Sequence, residues 1–298
     1  MEKVLEINNL TKKFGRLTAV NDLSFSVEKG NVYGLLGPNG SGKSTTLGMI
    51  LNVVNPTSGT WKWFGKEPSN ESLKKVGAII ERPNFYPYLS AEKNLEIVAQ
   101  IKGADYFKIE EKLKLVSLWE RRNDKFSSYS LGMKQRLAIA AAMINDPEVL
   151  ILDEPTNGLD PQGIIQIREI IQQIAAQGTT IILASHLLDE VEKVCSHVVI
   201  LEKGKTLYYG PVDEMTASYG FFEVGAADKL ALKNLLESLP YFEKVMELNG
   251  HLKAILKEDL SAESLNKIMF EKGMVLNHLV KRKESLENQF LELTRNNY

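Results

Sequence analysis

Gly37–Ser44 reads GPNGSGKS and fits G-x-x-x-x-G-K-[ST] at every specified position, between an apolar strand-forming run and a helix-forming one. The glycines let backbone amides come up to phosphate oxygens with no Cβ between them. Pro38, Asn39, Gly40, Ser41 and Gly42 complete that loop, and Thr45 carries it into the helix. Lys43 is the cation for β- and γ-phosphates, and the Ser44 hydroxyl is a ligand for Mg²⁺. A plain Gly-rich turn is the competing explanation; the complete motif in its strand-to-helix setting weighs against it.

A phosphate loop needs acids within reach. VLILDEP, Val149–Pro155, delivers Asp153 and Glu154 to the carboxyl end of an apolar strand, the edge where α/β sheets bind ligands. Asp153 suits a place beside Mg²⁺; Glu154 is not needed for the metal and suits the orientation and polarisation of an attacking water. Alone, adjacent acids at a strand end are as often simply solvated. His186 ends the apolar run TIILASH, where a neutral imidazole can meet a γ-phosphate or that water, although an isolated His there is more often structural. A further place for an anion is YSLGMKQR, Tyr129–Arg136, at the foot of a long helical run. Ser130 is a good N-cap, Met133 stands where a capping box has Glu or Gln, and Gly132 adds nothing to helix stability. A helix start with small residues and free amides is also an anion site.

Positioning these groups takes a sheet. Val4–Ile7 and Ala19–Val27 read as short strands, and NVYGLL and Val76–Ile80 as apolar ones. From about Ser90 to Ile144 the pattern is helical, with no good strand. Strands return in EVLILDEP, TTIILASH and HVVILEKG, separated by the helical run IIQIREIIQQIAAQ. Apolar strands alternating with helices predict an α/β fold with a mostly parallel sheet covered on both faces, into which the helical block is inserted. After YYGPVDE the order becomes FFEV, DKLALKNLLESL, KVMEL, HLKAIL, SAESLNKIMFEKG, VLNHLV. That is the β-α-β-β-α-β succession of a ferredoxin-like unit, followed by a helix in ESLENQFLEL.

The 298 residues are 44% hydrophobic and 25% charged, ordinary values for a globular chain with ample core. A formal charge of −2 gives no basic face for nucleic acid. Cys195 is the only cysteine, which excludes an intrachain disulfide. MEKVLEINNL lacks the apolar core of a signal peptide. The longest apolar run, Leu137–Ile144, falls far short of the roughly 20 residues that span a bilayer. The expectation is a cytoplasmic chain that does not cross a membrane unaided.

GPNGSGKST, YSLGMKQR, VLILDEP, NGLDP and ASH follow one another in the order and at the spacings of ATP-binding cassette (ABC) ATPases. Residues 1–215 resemble one complete nucleotide-binding domain of that phosphate-loop NTPase fold, with its helical subdomain at about 90–144. Residues 216–298 are then a small α+β, ferredoxin-like accessory domain. The resemblance implies ATP and Mg²⁺, a homodimer (or a pairing with a second ATPase subunit) that closes head-to-tail, and a separate transmembrane permease. It also implies that Ser130 and Gly132 bind the γ-phosphate of ATP held by the opposite subunit. Tyr129, Leu131 and Met133 depart from the common Leu-Ser-Gly-Gly-Gln, while Ser130 and Gly132 keep the groups that meet phosphate.

Phe14, in KKFGRLTAV, matches the family's adenine-stacking aromatic, against the reading of an ordinary sheet Phe. Asp160, in NGLDP, matches the acid of the loop along the dimer interface. Glu81, in IIERPNFYPYL, stands where most relatives carry a Gln that ligates Mg²⁺ and contacts the membrane subunit. Glu still offers an oxygen but adds negative charge; otherwise it is a surface acid. Glu81 together with YSLGM is similar to transporters linked to bacitracin and lantibiotic resistance, and SLENQFLELT to the ending of ABC-2-type exporter ATPases. The expected function is the ATP-hydrolysing subunit of a bacterial exporter, peripheral on the inner face of the membrane. The other reading is a soluble ABC ATPase acting on ribosomes or nucleic acid, which usually has two cassettes or a long coiled-coil insertion. A nucleotide switch without turnover is opposed by Glu154 and His186, and a guanine-nucleotide switch by the lack of Asn-Lys-x-Asp.

Overall fold

The chain opens with an antiparallel hairpin, β1 (Lys3–Phe14) and β2 (Leu17–Glu28). It leaves through β3 (Val32–Leu36) and α1 (Lys43–Ile50), and returns with β4 (Ser58–Trp63) to complete a three-stranded sheet of order β2-β1-β4. Sequence patterning predicts a much shorter first strand, Val4–Ile7, a second close to its observed extent, Ala19–Val27, and none at β4. The hairpin runs on because register shifts between Ile7 and Leu10 and between Leu10 and Lys12 absorb the breaks in alternation.

Helix α1 lies between two sheets. Lys43, Thr46, Leu47, Gly48, Met49 and Ile50 are all buried. Leu47, Met49 and Ile50 share one core with Val4, Leu5 and Trp63 on one side and Val149, Ile151 and Ile182 on the other. A helix covered all round needs no apolar stripe. The Trp63 indole donates to the Ile50 carbonyl at 2.8 Å, satisfying one of the acceptors that a helix end leaves open.

The larger sheet gathers β3 with β5 (Val76–Ile79), β6 (Val149–Asp153), β7 (Thr180–Ser185), β8 (His197–Glu202) and β9 (Lys205–Pro211) in the order β5-β6-β7-β3-β8-β9. The pairs β5–β6, β6–β7, β7–β3 and β3–β8 are parallel. VYGLL, VLILD and TIILAS are buried at every position, as strands covered on both faces must be. Between them run α2 (Asn70–Leu73), α3 (Ala91–Lys102), α4 (Lys108–Leu115), α5 (Leu131–Ala142), α6 (Pro161–Ala176) and α7 (Leu188–Val194). Helix α3 begins where Ser90 accepts from the Lys93 amide and ends at Gly103 with φ 66°. Strand register aligns the chemistry-bearing ends. Asp153 lies opposite Ala184, and Leu36 opposite Ser185, so Gly37, Glu154 and His186 leave their strands at one edge.

The computed structural model describes residues 2–80, 84–216, 219–248, 250–282, 286–287 and 289–290. Glu81 and most of SLENQFLELT lie outside them. The chain divides into two compact units, Met1–Gly210 and Pro211–Tyr298. After α8 (Val212–Thr216), the second unit runs β10 (Phe221–Ala226), α9 (Lys229–Ser238), β11 (Phe242–Leu248), β12 (His251–Leu256), α10 (Ala262–Glu271) and β13 (Leu276–Arg282). Its sheet is antiparallel, in the order β11-β12-β10-β13. Asp228 and Ser261 cap α9 and α10, whose Leu232, Leu236, Leu265 and Met269 pack on Phe222, Val224, Leu252 and Ala254.

Candidate active site

The loop between β3 and α1 is held from two sides. A Cβ at Gly37 would lie 2.3 Å from the Leu201 carbonyl oxygen and 2.6 Å from Ser41 Oγ. Gly42, at φ 108°, would bring one within 2.6 Å of the Ala19 carbonyl oxygen. Both positions therefore exclude every other residue. Ser41 is buried and its carbonyl accepts from the Gly204 amide at 3.0 Å. Among the described residues its hydroxyl has no hydrogen-bond partner. No side chain caps α1 at Gly42, so the amides of its first turn are left for a ligand.

Lys43 is 6% exposed, and its Nζ donates to the Gly37 carbonyl at 2.7 Å and, more weakly, to that of Pro38 at 3.4 Å. The same ammonium lies 3.5 Å from Glu154 Oε1. Ser44 and Pro38–Gly40 are exposed, Thr45 is half-buried, and Thr46 Oγ1 folds back to the Gly42 carbonyl at 2.9 Å.

Asp153 is 4% exposed at the end of β6. Glu154, next to it, adopts a left-handed backbone with φ 48°. For a residue with a Cβ that conformation costs about 1–2 kcal/mol, a strain of the kind that clusters at functional sites. The Glu154 amide donates to the Ala184 carbonyl at 2.9 Å, and Glu154 Oε2 meets His186 Nδ1 at 2.7 Å. The carboxylate thus stands between a buried ammonium and an imidazole at the sheet's carboxyl edge. Sequence reasoning names Lys43, Glu154 and His186 separately; the structure joins them.

Ser130 and Gly132 are elsewhere. Ser130 caps α5, accepting from the Met133 amide at 3.3 Å, and it is exposed. Asp160 caps α6 in the same manner, accepting from the Gly163 amide at 2.9 Å. Both helix starts open on a cleft of about 300 Å³, lined also by Leu131, Gly132, Gly158 and Leu159. Among the described residues no hydrogen bond or ion pair joins this cleft to the phosphate loop. Phe14 stands half-exposed at the end of β1, beside the hairpin turn, with Lys12 Nζ 4.8 Å from its ring centre.

Two features escape the sequence reading. Gly158 and Leu159, which that reading names only as neighbours of Asp160 in NGLDP, line the cleft beside Leu131. Thr156 and Glu190 form a buried hydrogen-bonded pair behind Glu154 and His186, and no motif marks either.

A parallel sheet that brings a phosphate loop, a strand-end Asp-Glu pair and a His to one edge defines a phosphate-loop nucleotide hydrolase. Comparison with known proteins narrows the class. The ABC transporter family model matches residues 20–157. The chain is 38% identical to the bacitracin transport ATP-binding protein BcrA of Enterococcus faecalis, over 98% of this chain and 97% of that one. It is 43% identical to the lantibiotic transport ATP-binding protein SrtF of Streptococcus pyogenes, over 68% of this chain and 89% of the other. A solved dimeric ATP-binding cassette, in a post-hydrolysis state with ADP and Pi, superposes with a TM-score of 0.62 at 26% identity, over 70% of this chain and 98% of that one. The chain belongs to the ATP-binding subunits of ABC transporters and is an ATPase that powers transport.

Proposed function

We propose that two copies of this chain close head-to-tail on two molecules of Mg·ATP, on the cytoplasmic side of a separate membrane-spanning partner, and that the assembly works as an exporter. The observation that carries the reading is the Lys43–Glu154–His186 arrangement at 3.5 and 2.7 Å, aimed along the edge where the phosphate loop ends. Phosphoryl transfer to water needs positioning and charge neutralisation more than covalent chemistry. The amides of Gly37–Thr45 and the Lys43 ammonium hold the phosphates. Glu154 orients and polarises the water, and His186 contacts the γ-phosphate. Phe14 stacks on adenine, a contact worth about 1–3 kcal/mol in single-strand nucleic-acid binders.

Mg²⁺ would be held by Ser44 and Asp153, with Glu81 as a further oxygen. The donor set fits: all are hard oxygens, with Ser44 exposed in the first turn of α1 and Asp153 at the carboxyl end of β6. Mg²⁺ ordinarily takes one or two protein oxygens together with substrate phosphates and water. When bound, the ion neutralises charge on the β- and γ-phosphates.

Dimer closure is supported by the dimeric form of the solved cassette that superposes on this chain, and by the shared cleft at the starts of α5 and α6. Ser130 and Gly132 would meet the γ-phosphate held by the partner copy, with Asp160 along the interface. A separate permease subunit is supported by the relatives' names, which are those of transport ATP-binding proteins; among the described residues no helix is long and apolar enough to cross a membrane. The relatives named for bacitracin and lantibiotic transport support the exporter reading.

The test is a tagged Glu154→Gln form, pulled down with ATP from gently solubilised native membranes. That variant should bind ATP and be trapped as a closed dimer carrying a multi-helix membrane protein. Wild-type turnover by Glu154→Gln would overturn the role of Glu154. Recovery with ribosomes or nucleic acid would leave the ATP chemistry standing and remove the transport reading.

A further inference from the structure

The reacting pair is carried by two loops, one leaving β6 with Glu154 and one leaving β7 with His186. At the pair itself the Glu154 amide donates to Ala184 at the end of β7, and the Glu154 carboxylate meets His186. A further contact lies behind them, where the Thr156 hydroxyl donates to Glu190 Oε2 at 2.5 Å and both residues are 5% exposed. Thr156 belongs to the turn that carries Glu154, because the Asn157 amide donates back to the Glu154 carbonyl and the Leu159 amide to that of Thr156, both at 3.1 Å. Glu190 sits on α7, which follows His186 directly and begins at Leu187 with no side-chain cap. This helix therefore takes its placement from what it packs on and bonds to.

A carboxylate is an expensive side chain to bury. Among the described residues the Thr156 hydroxyl is the only hydrogen-bond donor to the Glu190 carboxylate, whose Oε1 is buried without a partner. Burial pushes the Glu190 carboxyl above its usual range, against the opposing influence of the Thr156 bond and the Arg168 charge. An apolar side chain would fill this position at less cost but could not hold Thr156.

We propose that Glu190 is a positioning residue for ATP hydrolysis: by clamping Thr156 it ties the turn bearing Glu154 to the helix behind His186 and sets the distance between the two reacting side chains. The proposal rests on the roles given above to Glu154 and His186. Glu190 and Thr156 are both buried and bonded to each other, which takes them out of direct reach of nucleotide. Their removal should therefore lower turnover and spare nucleotide affinity.

The experiment measures ATP hydrolysis by the full-length chain against ATP concentration for Glu190→Ala, Thr156→Val and the double variant. A loss of fixed geometry predicts a fall in kcat of about tenfold for each single variant, with KM for ATP changed less than about twofold. The double variant should be no slower than the slower single, because one bond is removed in all three. Glu190→Gln, whose amide oxygen still accepts from Thr156, should restore kcat to within about twofold of wild type. Thr156→Val conserves volume and decides the matter if Glu190→Ala does not fold. Unchanged kcat in folded variants, losses that multiply in the double variant, or a matching rise in KM would each overturn the clamp. Glu154→Gln assayed alongside separates the two readings. If it turns over normally, the role of Glu154 fails; if it is inactive while Thr156→Val runs at full rate, only the clamp fails.

Discussion

Two helices of this molecule begin at an end suited to an anion, and they are built in opposite ways. Helix α1 starts at Gly42 with no side-chain cap, a buried Lys43, and carbonyl oxygens of Leu201 and Ala19 crowding Gly37 and Gly42. Helix α5 starts at an exposed Ser130 that already serves its own first turn, and the nearest atom to a Cβ at Gly132 is Leu159 Cδ2 at 3.8 Å. The first is crowded and uncapped; the second is open and self-satisfied. A helix end by itself contributes about 0.3–1 kcal/mol toward an anion, up to about 2 when partly buried. Micromolar binding needs about 8 kcal/mol. Only the α1 end, with Lys43 and the loop amides added, can hold a nucleotide alone. The α5 end suits a ligand brought to it already bound, since the Ser130 hydroxyl can accept from Met133 and still donate its proton to phosphate.

The largest expected effect tests the first half of that contrast. Lys43→Ala removes the buried ammonium facing Glu154, and hydrogen bonds to charged groups are worth about 1.5–3 kcal/mol each. ATP affinity should fall by about 100-fold in titration calorimetry. An unaltered titration would show that the loop amides suffice and that the two helix ends differ less than their structures suggest. Ser130→Arg tests the other half. It should leave ATP binding by the monomer within about twofold, because among the described residues Ser130 makes no hydrogen bond to the phosphate loop, yet abolish ATP-dependent dimerisation in light scattering. A variant that still dimerises would remove the partner from the account.

The two ends were also unequally legible in the sequence, for a physical reason. GPNGSGKS carries its geometry in its residue types, since Gly37 and Gly42 stand where nothing larger fits. VLILD and TIILAS announce buried parallel strands, and parallel strands put their carboxyl ends on one edge, so Lys43, Glu154 and His186 could be expected there. The 2.7 Å contact of Glu154 with His186 could not, because it depends on the register of Asp153 with Ala184. β4 was illegible because SGTWKW opens with a turn signal, and the strand partners of Trp61 and Trp63, Ile7 and Leu5, lie on the distant β1. Thr156 and Glu190 are common residue types whose meeting requires two strand-to-helix turns to be placed side by side. Around Ser130 the sequence showed a cap and two small residues; the cleft shared with Gly158, Leu159 and Asp160 came from packing.

The smallest effect draws the contrast most finely. Gly132 has a helical backbone with no positive φ, and a methyl group there meets nothing closer than 3.8 Å. Within a helix, Gly is less stable than Ala by roughly 0.5–1 kcal/mol. Gly132→Ala should therefore leave the chain as stable as before or about 0.5 kcal/mol more stable in urea unfolding, with ATP binding by the monomer unchanged. Yet the methyl would stand where a partner's phosphate must approach the α5 amides, so ATP-dependent dimerisation should weaken. A gain in stability coupled to a loss of association would mean that Gly132 is kept for a surface the folded monomer does not use. Dimerisation at wild-type strength would mean that phosphate reaches α5 from another direction, and the open helix end would then be no more than a capped turn. The same change at Gly42, where the Cβ would lie 2.6 Å from a carbonyl oxygen, has no such latitude, and that is the difference between a site closed within one chain and one completed by a second.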